Sequence, residues 1–154
     1  TSSRAFNEDG KSEILEIGKW EILESGSETA IFAVGSMVGM ILDSNTDLFS
    51  ELGYQPTIIN ARFVKPLDSE LILEICNNHD NIMTIEEGCL SGGFGSAVSA
   101  FLHDNNLENK LHRIGIPDNF IEHGTRDELL DELGLCAENI ISILTNDKLE
   151  EVYG

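Results

Sequence analysis

The chain has 154 residues, 41% of them hydrophobic, which suits a single domain with a substantial apolar core. Its 28 acidic and 9 basic residues give a formal net charge of −19. A field of this sign repels polyphosphates and anionic lipid headgroups, so neither nucleic acid nor a membrane surface is expected as a partner.

The first segment, residues 1–13, is polar and has no periodic pattern, which predicts a flexible lead-in or the end of an interdomain linker. The folded unit is predicted to span residues 14–145. Its first strand, 19–23, is short and bounded by glycines, as is typical of a sheet edge. The next, 29–34, is continuously apolar and is expected to be buried on both faces.

Alternating helices and strands follow. Apolar spacing predicts a helix over 37–52, with Gly53 as its left-handed C-terminal residue, and then a strand at 57–61. Pro66 breaks the chain, and Asp68 is positioned to cap the next helix. A strand at 81–85 is expected to end at Glu86, Glu87 and Gly88.

A glycine-rich loop at 91–96 leads into a helix at 97–102, and a last strand, 111–116, precedes helices at 126–133 and 137–144. Residues 146–154 are predicted to be a flexible, charged tail. This alternation predicts an α/β fold: a three-layer α/β/α sandwich whose mostly parallel sheet has about five strands and an antiparallel strand at one edge.

The glycine-rich loop has two interpretations. Gly92, Gly93 and Gly95 at a helix entrance could present backbone N–H groups to a phosphate. The segment has neither the GK[ST] ending of a P-loop nor GxGxxG spacing, so tight packing of strand, loop and helix is the competing interpretation.

Carboxylates and basic residues mark two other places. Glu86 and Glu87 lie at a strand end, where open α/β sheets place functional groups, although neighbouring strand residues point to opposite faces. Arg62 and Lys65 lie beside Pro66, in a loop that could hold a ligand or form internal ion pairs.

Little in the sequence indicates a metal site or a reactive thiol. The four histidines share no ligand spacing and are interpreted as surface or capping residues, and Cys76 is expected in the core. Three cysteines, far apart and odd in number, favour the reducing cytoplasm. No apolar run approaches the roughly 20 residues that span a bilayer. The absence of an initial Met suggests a fragment of a longer protein.

Six blocks of sequence occur in an order that resembles a known family. They are the blocks at 17–20, 33–37, 60–68, 84–87, 92–96 and 115–124. Together they resemble the C-terminal domain of the transketolase superfamily. The blocks RFVKPLD and PDNFIEHG are similar to the 1-deoxy-D-xylulose-5-phosphate synthases more than to transketolases or to the beta subunits of 2-oxo-acid dehydrogenases.

This resemblance implies a homodimeric enzyme that uses thiamine diphosphate and Mg²⁺ to decarboxylate pyruvate and join the two-carbon unit to glyceraldehyde 3-phosphate. Family members hold the cofactor, the metal and the activating glutamate in earlier domains, so this chain alone is expected to bind no cofactor and to be inactive. It would complete the dimer and support the site in contact with the other domains of its own polypeptide.

The resemblance also assigns residues. It gives a structural or interface role to Arg62, Lys65, Pro66, Asp68, Glu86, Glu87, Gly92, Gly93, Gly95, Pro117, Asp118 and His123. Arg4 lies near the position of a family arginine that contacts the acceptor's phosphate, although its Ser-Ser-Arg-Ala context departs from the family's Tyr-Pro-Arg-Gly. The alternatives are a C-terminal domain of another superfamily member and a non-catalytic docking domain whose acidic surface recruits a basic partner.

Overall fold

A computed structural model describes residues 3–6, 12–117 and 124–153 of the chain. Two sheets and a set of flanking helices form within these residues. The strands are β1 Ser3–Phe6, β2 Ser12–Leu15, β3 Glu21–Glu24, β4 Thr29–Ala33, β5 Thr57–Asn60, β6 Asn81–Cys89 and β7 Lys110–Ile116. The helices are α1 Ser36–Asp43, α2 Asn45–Leu52, α3 Ser69–Asn78, α4 Phe94–Asp104, α5 Arg126–Glu132 and α6 Ala137–Tyr153.

The main sheet has the strand order β3-β5-β4-β6-β7. Strands β5, β4, β6 and β7 run parallel, and β3 pairs antiparallel with β5 at the edge. Although β3 and β4 are close in sequence, they are not neighbours, because β4 pairs with a parallel strand on each side. The predicted α/β class, with five strands and an antiparallel edge, is confirmed.

Two apolar cores lie on the two faces of this sheet. Along β4, Ile31 and Ala33 face the core that α1, α2 and α6 cover, while Ala30 and Phe32 face the core that α3 and α4 cover. Every residue of β4 is buried, because helices pack on both sides of it. The three-layer arrangement therefore follows from the continuous apolar run of this strand.

An aromatic cluster joins the edge strand to the second core. The Trp20 ring makes edge-to-face contacts with Phe32 and Phe94, with centroid distances of 5.2 and 5.6 Å. Such pairs contribute about 0.5–1.5 kcal/mol beyond the area they bury. Trp20 thus fixes the start of β3 against the start of α4.

Several element boundaries differ from the predictions. The expected helix over 37–52 is two helices that meet at Ser44, within a run of Asp, Ser, Asn and Thr residues of low helix propensity. Gly53 has the predicted left-handed conformation, with φ of 77°. The strand expected to end before Glu86 continues to Cys89, so Glu86 and Glu87 belong to β6.

The two ends of the chain contain more regular structure than their composition indicated. β1 lies in the predicted lead-in and pairs antiparallel with β2, which crosses the predicted boundary at 14. Helix α6 continues to Tyr153, beyond the predicted end at 144, through a run of Lys, Leu and Glu residues that favour helix. The domain boundaries predicted at 14 and 145 stay predictions. Within the described residues, the helices are too short or too polar to cross a bilayer.

Candidate functional site

The loops at the carboxyl edge of the sheet contain most of the singled-out motifs. Because β4, β5, β6 and β7 are parallel, the segments after Ala33, Asn60, Cys89 and Ile116 leave from the same edge. Ligand sites of open α/β sheets lie outside the carboxyl ends of the strands. This edge is therefore the candidate site.

Asp68 connects the loop after β5 to the edge strand. Its carboxylate accepts hydrogen bonds from the backbone N–H of Leu71, at 3.1 Å, and of Trp20, at 2.9 Å. Its exposed fraction is 5%, and the Lys19 ammonium lies 3.9 Å away. The residue caps α3, as its position predicts, and also holds the start of β3.

The basic residues of this loop are directed to internal partners or to solvent. Arg62 forms an ion pair with Glu21 of β3, and the carbonyl of Phe63 accepts a hydrogen bond from the Trp20 indole at 2.9 Å. Lys65 and Pro66 are exposed, and the peptide bond between them is cis. The interpretation of an ion-paired loop fits Arg62.

Glu86 occupies the entrance of the glycine-rich helix. Its carboxylate oxygens accept hydrogen bonds from the backbone N–H groups of Phe94, at 2.8 Å, and Gly95, at 3.0 Å. The exposed fraction of Glu86 is 5%. A helix N-terminus attracts an anion through its unpaired N–H groups and its dipole. Here the anion is a side chain of the same domain, so these two amides are not available to a phosphate.

The glycines of this loop are required by close packing. A Cβ atom on Gly93 would lie 2.1 Å from the Cys89 carbonyl oxygen, and one on Gly95 would lie 2.8 Å from the Thr84 hydroxyl. Both distances are shorter than Cβ atoms normally show, so a larger side chain would displace the Cys89 backbone in the first case and the Thr84 side chain in the second. Gly92 has φ of 71°, which favours glycine for a different reason. This geometry favours the packing interpretation over phosphate binding.

Glu86 and Glu87 do not form a paired acid and base. They are successive residues of β6, and successive residues of a strand point to opposite faces of a sheet. Glu86 is buried by its contacts with α4, whereas Glu87 is half-buried. General acid and base groups must reach one reacting centre, and these two carboxylates do not share one.

An arginine that the sequence did not single out lies beside the same loop. Arg113 Nη1 donates to the Leu90 carbonyl, at 3.3 Å, and to the Ser96 hydroxyl oxygen, at 3.1 Å. The Ser96 hydroxyl donates to the same carbonyl at 2.5 Å and accepts from the Gly92 N–H at 3.2 Å. An open groove of about 410 Å³ adjoins them. Sequence spacing gave no signal for this contact.

One of the four histidines, His79, is buried in the structure. His79 ends α3 but is buried, with Nδ1 3.0 Å from the Ile75 carbonyl and Nε2 2.8 Å from the Thr57 hydroxyl. Because a carbonyl only accepts, Nδ1 carries a proton and donates to Ile75, and Nε2 shares the second hydrogen bond with the Thr57 hydroxyl. The structure therefore confirms the capping interpretation for His79 and not the surface one, because the residue is the C-cap of α3 and internal partners satisfy both of its nitrogens.

Neither metal nor thiol chemistry is supported among the described residues. No group of three or more His, Cys, Asp or Glu side chains in that part of the chain could hold a metal ion. Cys76 is half-buried against the second core, and burial raises the pKa of its thiol to about 11. This thiol stays protonated at neutral pH.

The structure describes two of the four remaining predicted site residues. Arg4 lies in β1, where its backbone pairs with Ile14. Pro117 is exposed beside the groove of Arg113. Asp118 and His123 lie outside the described residues.

Comparison with known proteins places this geometry in a family. Residues 18–140 match the family model described as transketolase, C-terminal domain. A solved structure described as "Split gene transketolase, inactive beta4 tetramer" is 29% identical, with a TM-score of 0.77, over 86% of this chain and 43% of that chain.

Curated relatives named 1-deoxy-D-xylulose-5-phosphate synthase are more similar in sequence. The protein from Synechocystis sp. (strain ATCC 27184 / PCC 6803 / Kazusa) is 46% identical over 91% of this chain. Those from Synechococcus sp. (strain JA-3-3Ab) and Lysinibacillus sphaericus (strain C3-41) are 49% and 41% identical over 92% and 83% of it. The chain spans only 20–22% of the length of these relatives.

Proposed function

The chain belongs to the transketolase C-terminal domain family, and from this premise we propose that it is the C-terminal domain of a 1-deoxy-D-xylulose-5-phosphate synthase. The observation that carries the proposal is the 41–49% identity to proteins of that name, extending over 83–92% of the chain. The solved transketolase neighbour, at 29% identity, is less similar.

The whole enzyme would join pyruvate and glyceraldehyde 3-phosphate to form 1-deoxy-D-xylulose 5-phosphate and CO₂. Thiamine diphosphate, held with Mg²⁺, supplies the electron sink for the decarboxylation. The described residues do not fit this cofactor: they contain no metal-binding cluster, and Glu86 occupies the amides at the start of α4. No step of the reaction is therefore assigned to them.

The role we propose for this domain, spanning residues 14–145, is structural. Asp68 and Glu86 hold the loops of the carboxyl edge in place, which gives the remaining domains of the polypeptide a rigid surface to contact. The same proposal includes a homodimeric enzyme in the cytoplasm, in keeping with three free cysteines among the described residues.

A domain exchange tests this function. The corresponding C-terminal part of the Synechocystis relative, about 22% of its length, is replaced by this chain. We expect the chimera to convert pyruvate and glyceraldehyde 3-phosphate, and the relative truncated at the same point to be inactive. A matched chimera with a transketolase C-terminal domain controls for restored folding alone. Failure of the first chimera in a soluble, dimeric form would contradict the assignment.

The isolated chain offers a second measurement. Calorimetry with thiamine diphosphate and Mg²⁺ is expected to show no binding, because the described residues provide no site for either group. Micromolar binding would overturn the structural role without affecting the family assignment.

One observation favours a second candidate, a subunit of a split transketolase. The solved neighbour is described as a split-gene protein that forms an inactive beta4 tetramer. If this chain is such a subunit, it should assemble with itself, and a separate partner should restore activity with a ketose phosphate donor. Light scattering of the purified chain and a donor assay with pyruvate distinguish the two candidates.

A further inference from the structure

We propose that the groove beside Arg113 binds an oxyanion, the phosphate or carboxylate group of a small ligand. The groove is lined by Leu90, Ser91, Ser96, Arg113 and Pro117 and has a volume of about 410 Å³. This inference concerns a site separate from the proposed function and does not depend on it.

The guanidinium of Arg113 is held at one end. Its hydrogen bonds within the described residues come from Nη1, which donates to Leu90 and Ser96. Nε and Nη2, which form the other edge of the planar group, therefore have no acceptor in that part of the chain. That edge carries two parallel N–H bonds, the geometry that binds a carboxylate or phosphate in bidentate fashion.

The stem of the side chain is also fixed. An ideal Cβ on Gly95 would lie 3.1 Å from Arg113 Cδ and 3.3 Å from Cγ, so the stem lies directly over this glycine. A long flexible side chain normally loses rotamer freedom when it binds a ligand. Here packing against Gly95 and the Nη1 hydrogen bonds have already restricted it, which favours binding.

The Ser96 hydroxyl and the first amides of α4 are already used within the domain. The Ser96 hydroxyl uses its proton on the Leu90 carbonyl and its lone pairs on Gly92 N–H and Arg113 Nη1. The first amides of α4 donate to Glu86. The site therefore depends on Arg113, and Ser96 acts by positioning it.

The charge of Arg113 supports the same conclusion. Of the arginines whose side chains the structure describes, Arg62 forms an ion pair with Glu21, whereas both acceptors of Arg113 are neutral. Within the described residues, no carboxylate competes with an incoming anion for this guanidinium. In a chain of net charge −19, this local positive charge is the feature that could overcome the overall repulsion.

The experiment titrates the purified chain with inorganic phosphate in one arm and acetate in the other, at low ionic strength. It follows the side-chain Nε–H signal of Arg113 and the amide signals of residues 90–96 by NMR. We expect saturable shifts at millimolar concentrations, and about tenfold weaker binding in Arg113→Gln. A stronger response to phosphate than to acetate would assign the site to phosphate esters, and the reverse to carboxylates.

Two further variants separate the site from general electrostatics. Lys110→Gln removes one positive charge from the same strand but outside the groove, and it should bind nearly as the parent chain does. Ser96→Ala should weaken binding by a smaller factor than Arg113→Gln, since it removes one of the two acceptors that hold Nη1 but keeps the charge. Circular dichroism checks that each variant folds. Absence of saturable shifts in the parent chain, or equal losses in Lys110→Gln and Arg113→Gln, would overturn the proposal.

Discussion

Asp68 and Glu86 each accept hydrogen bonds from N–H groups at the start of a helix, but Asp68 is adjacent to its helix in sequence and Glu86 is not. Each is 5% exposed, and each carboxylate accepts hydrogen bonds from two backbone N–H groups. Asp68 immediately precedes the helix it caps. Glu86 lies within β6 and reaches residues eight and nine positions later along the chain.

This difference decides whether a buried capping carboxylate can be recognised from the sequence. An Asp directly before an apolar helical pattern predicts a cap, because the side chain and the N–H group are local. A Glu inside a strand gives no such signal, since only the folded loop brings α4 to it. The same chemistry was therefore readable for one helix, whereas at the other the local pattern left a functional site and a structural role both open.

Replacement of Glu86 by Ala should have the largest effect. Two buried N–H groups would lose their acceptor, at about 1–3 kcal/mol each, so we expect a loss of about 3–5 kcal/mol of unfolding free energy. Urea denaturation measures it. Glu24→Gln, an exposed strand glutamate, controls for loss of a negative charge and should change stability by less than about 0.5 kcal/mol. One buried N–H group without an acceptor costs at least about 1 kcal/mol. A smaller loss of unfolding free energy in Glu86→Ala would show that water or other groups replace the carboxylate.

Two glycine substitutions should change stability in opposite directions. Gly93→Ala places a Cβ 2.1 Å from the Cys89 carbonyl, which displaces the backbone that Glu86 holds and should cost about 1–3 kcal/mol or more. Gly39→Ala, inside α1, meets nothing within 4 Å and should stabilise the helix by up to about 1 kcal/mol. Thermal unfolding of both variants checks the signs. If both destabilise equally, packing of the loop is not what requires Gly93.

Asp68→Asn should have the smallest effect, because Asn caps helices about as well as Asp. The amide oxygen can still accept from Leu71, whereas the amide nitrogen that replaces the other oxygen cannot accept from the Trp20 N–H, so we expect a loss of about 1 kcal/mol. Urea denaturation of Asp68→Asn and Glu86→Gln measures the two losses of unfolding free energy. The loss should be smaller for Asp68→Asn, since a local cap should tolerate the loss of charge better. Ser69→Ala, at the next and exposed position, is the control. A larger loss in Asp68→Asn than in Glu86→Gln would contradict this ranking.

Other features of the fold also differ in whether the local sequence reveals them. The capping box of α5, in which Thr125 and Glu128 exchange hydrogen bonds, is a T-x-x-E signature visible in sequence. The hydrogen bonds from Thr125 lower the pKa of Glu128. In contrast, the pairing of β3 with β5 instead of β4 has no local signal, because it follows from which neighbours the central strand already has.

The sequence was sufficient for the α/β class, the order of the five strands of the main sheet along the chain, the cap at Asp68 and the family, because apolar periods, turn residues and motif blocks are local properties of the chain. Only the tertiary structure decided that Glu86 fills the entrance of α4, that His79 is buried, and that Arg113 lies over Gly95. Each of these depends on contacts between segments that are distant along the chain. Such contacts are set by how the layers pack, and no local pattern encodes them.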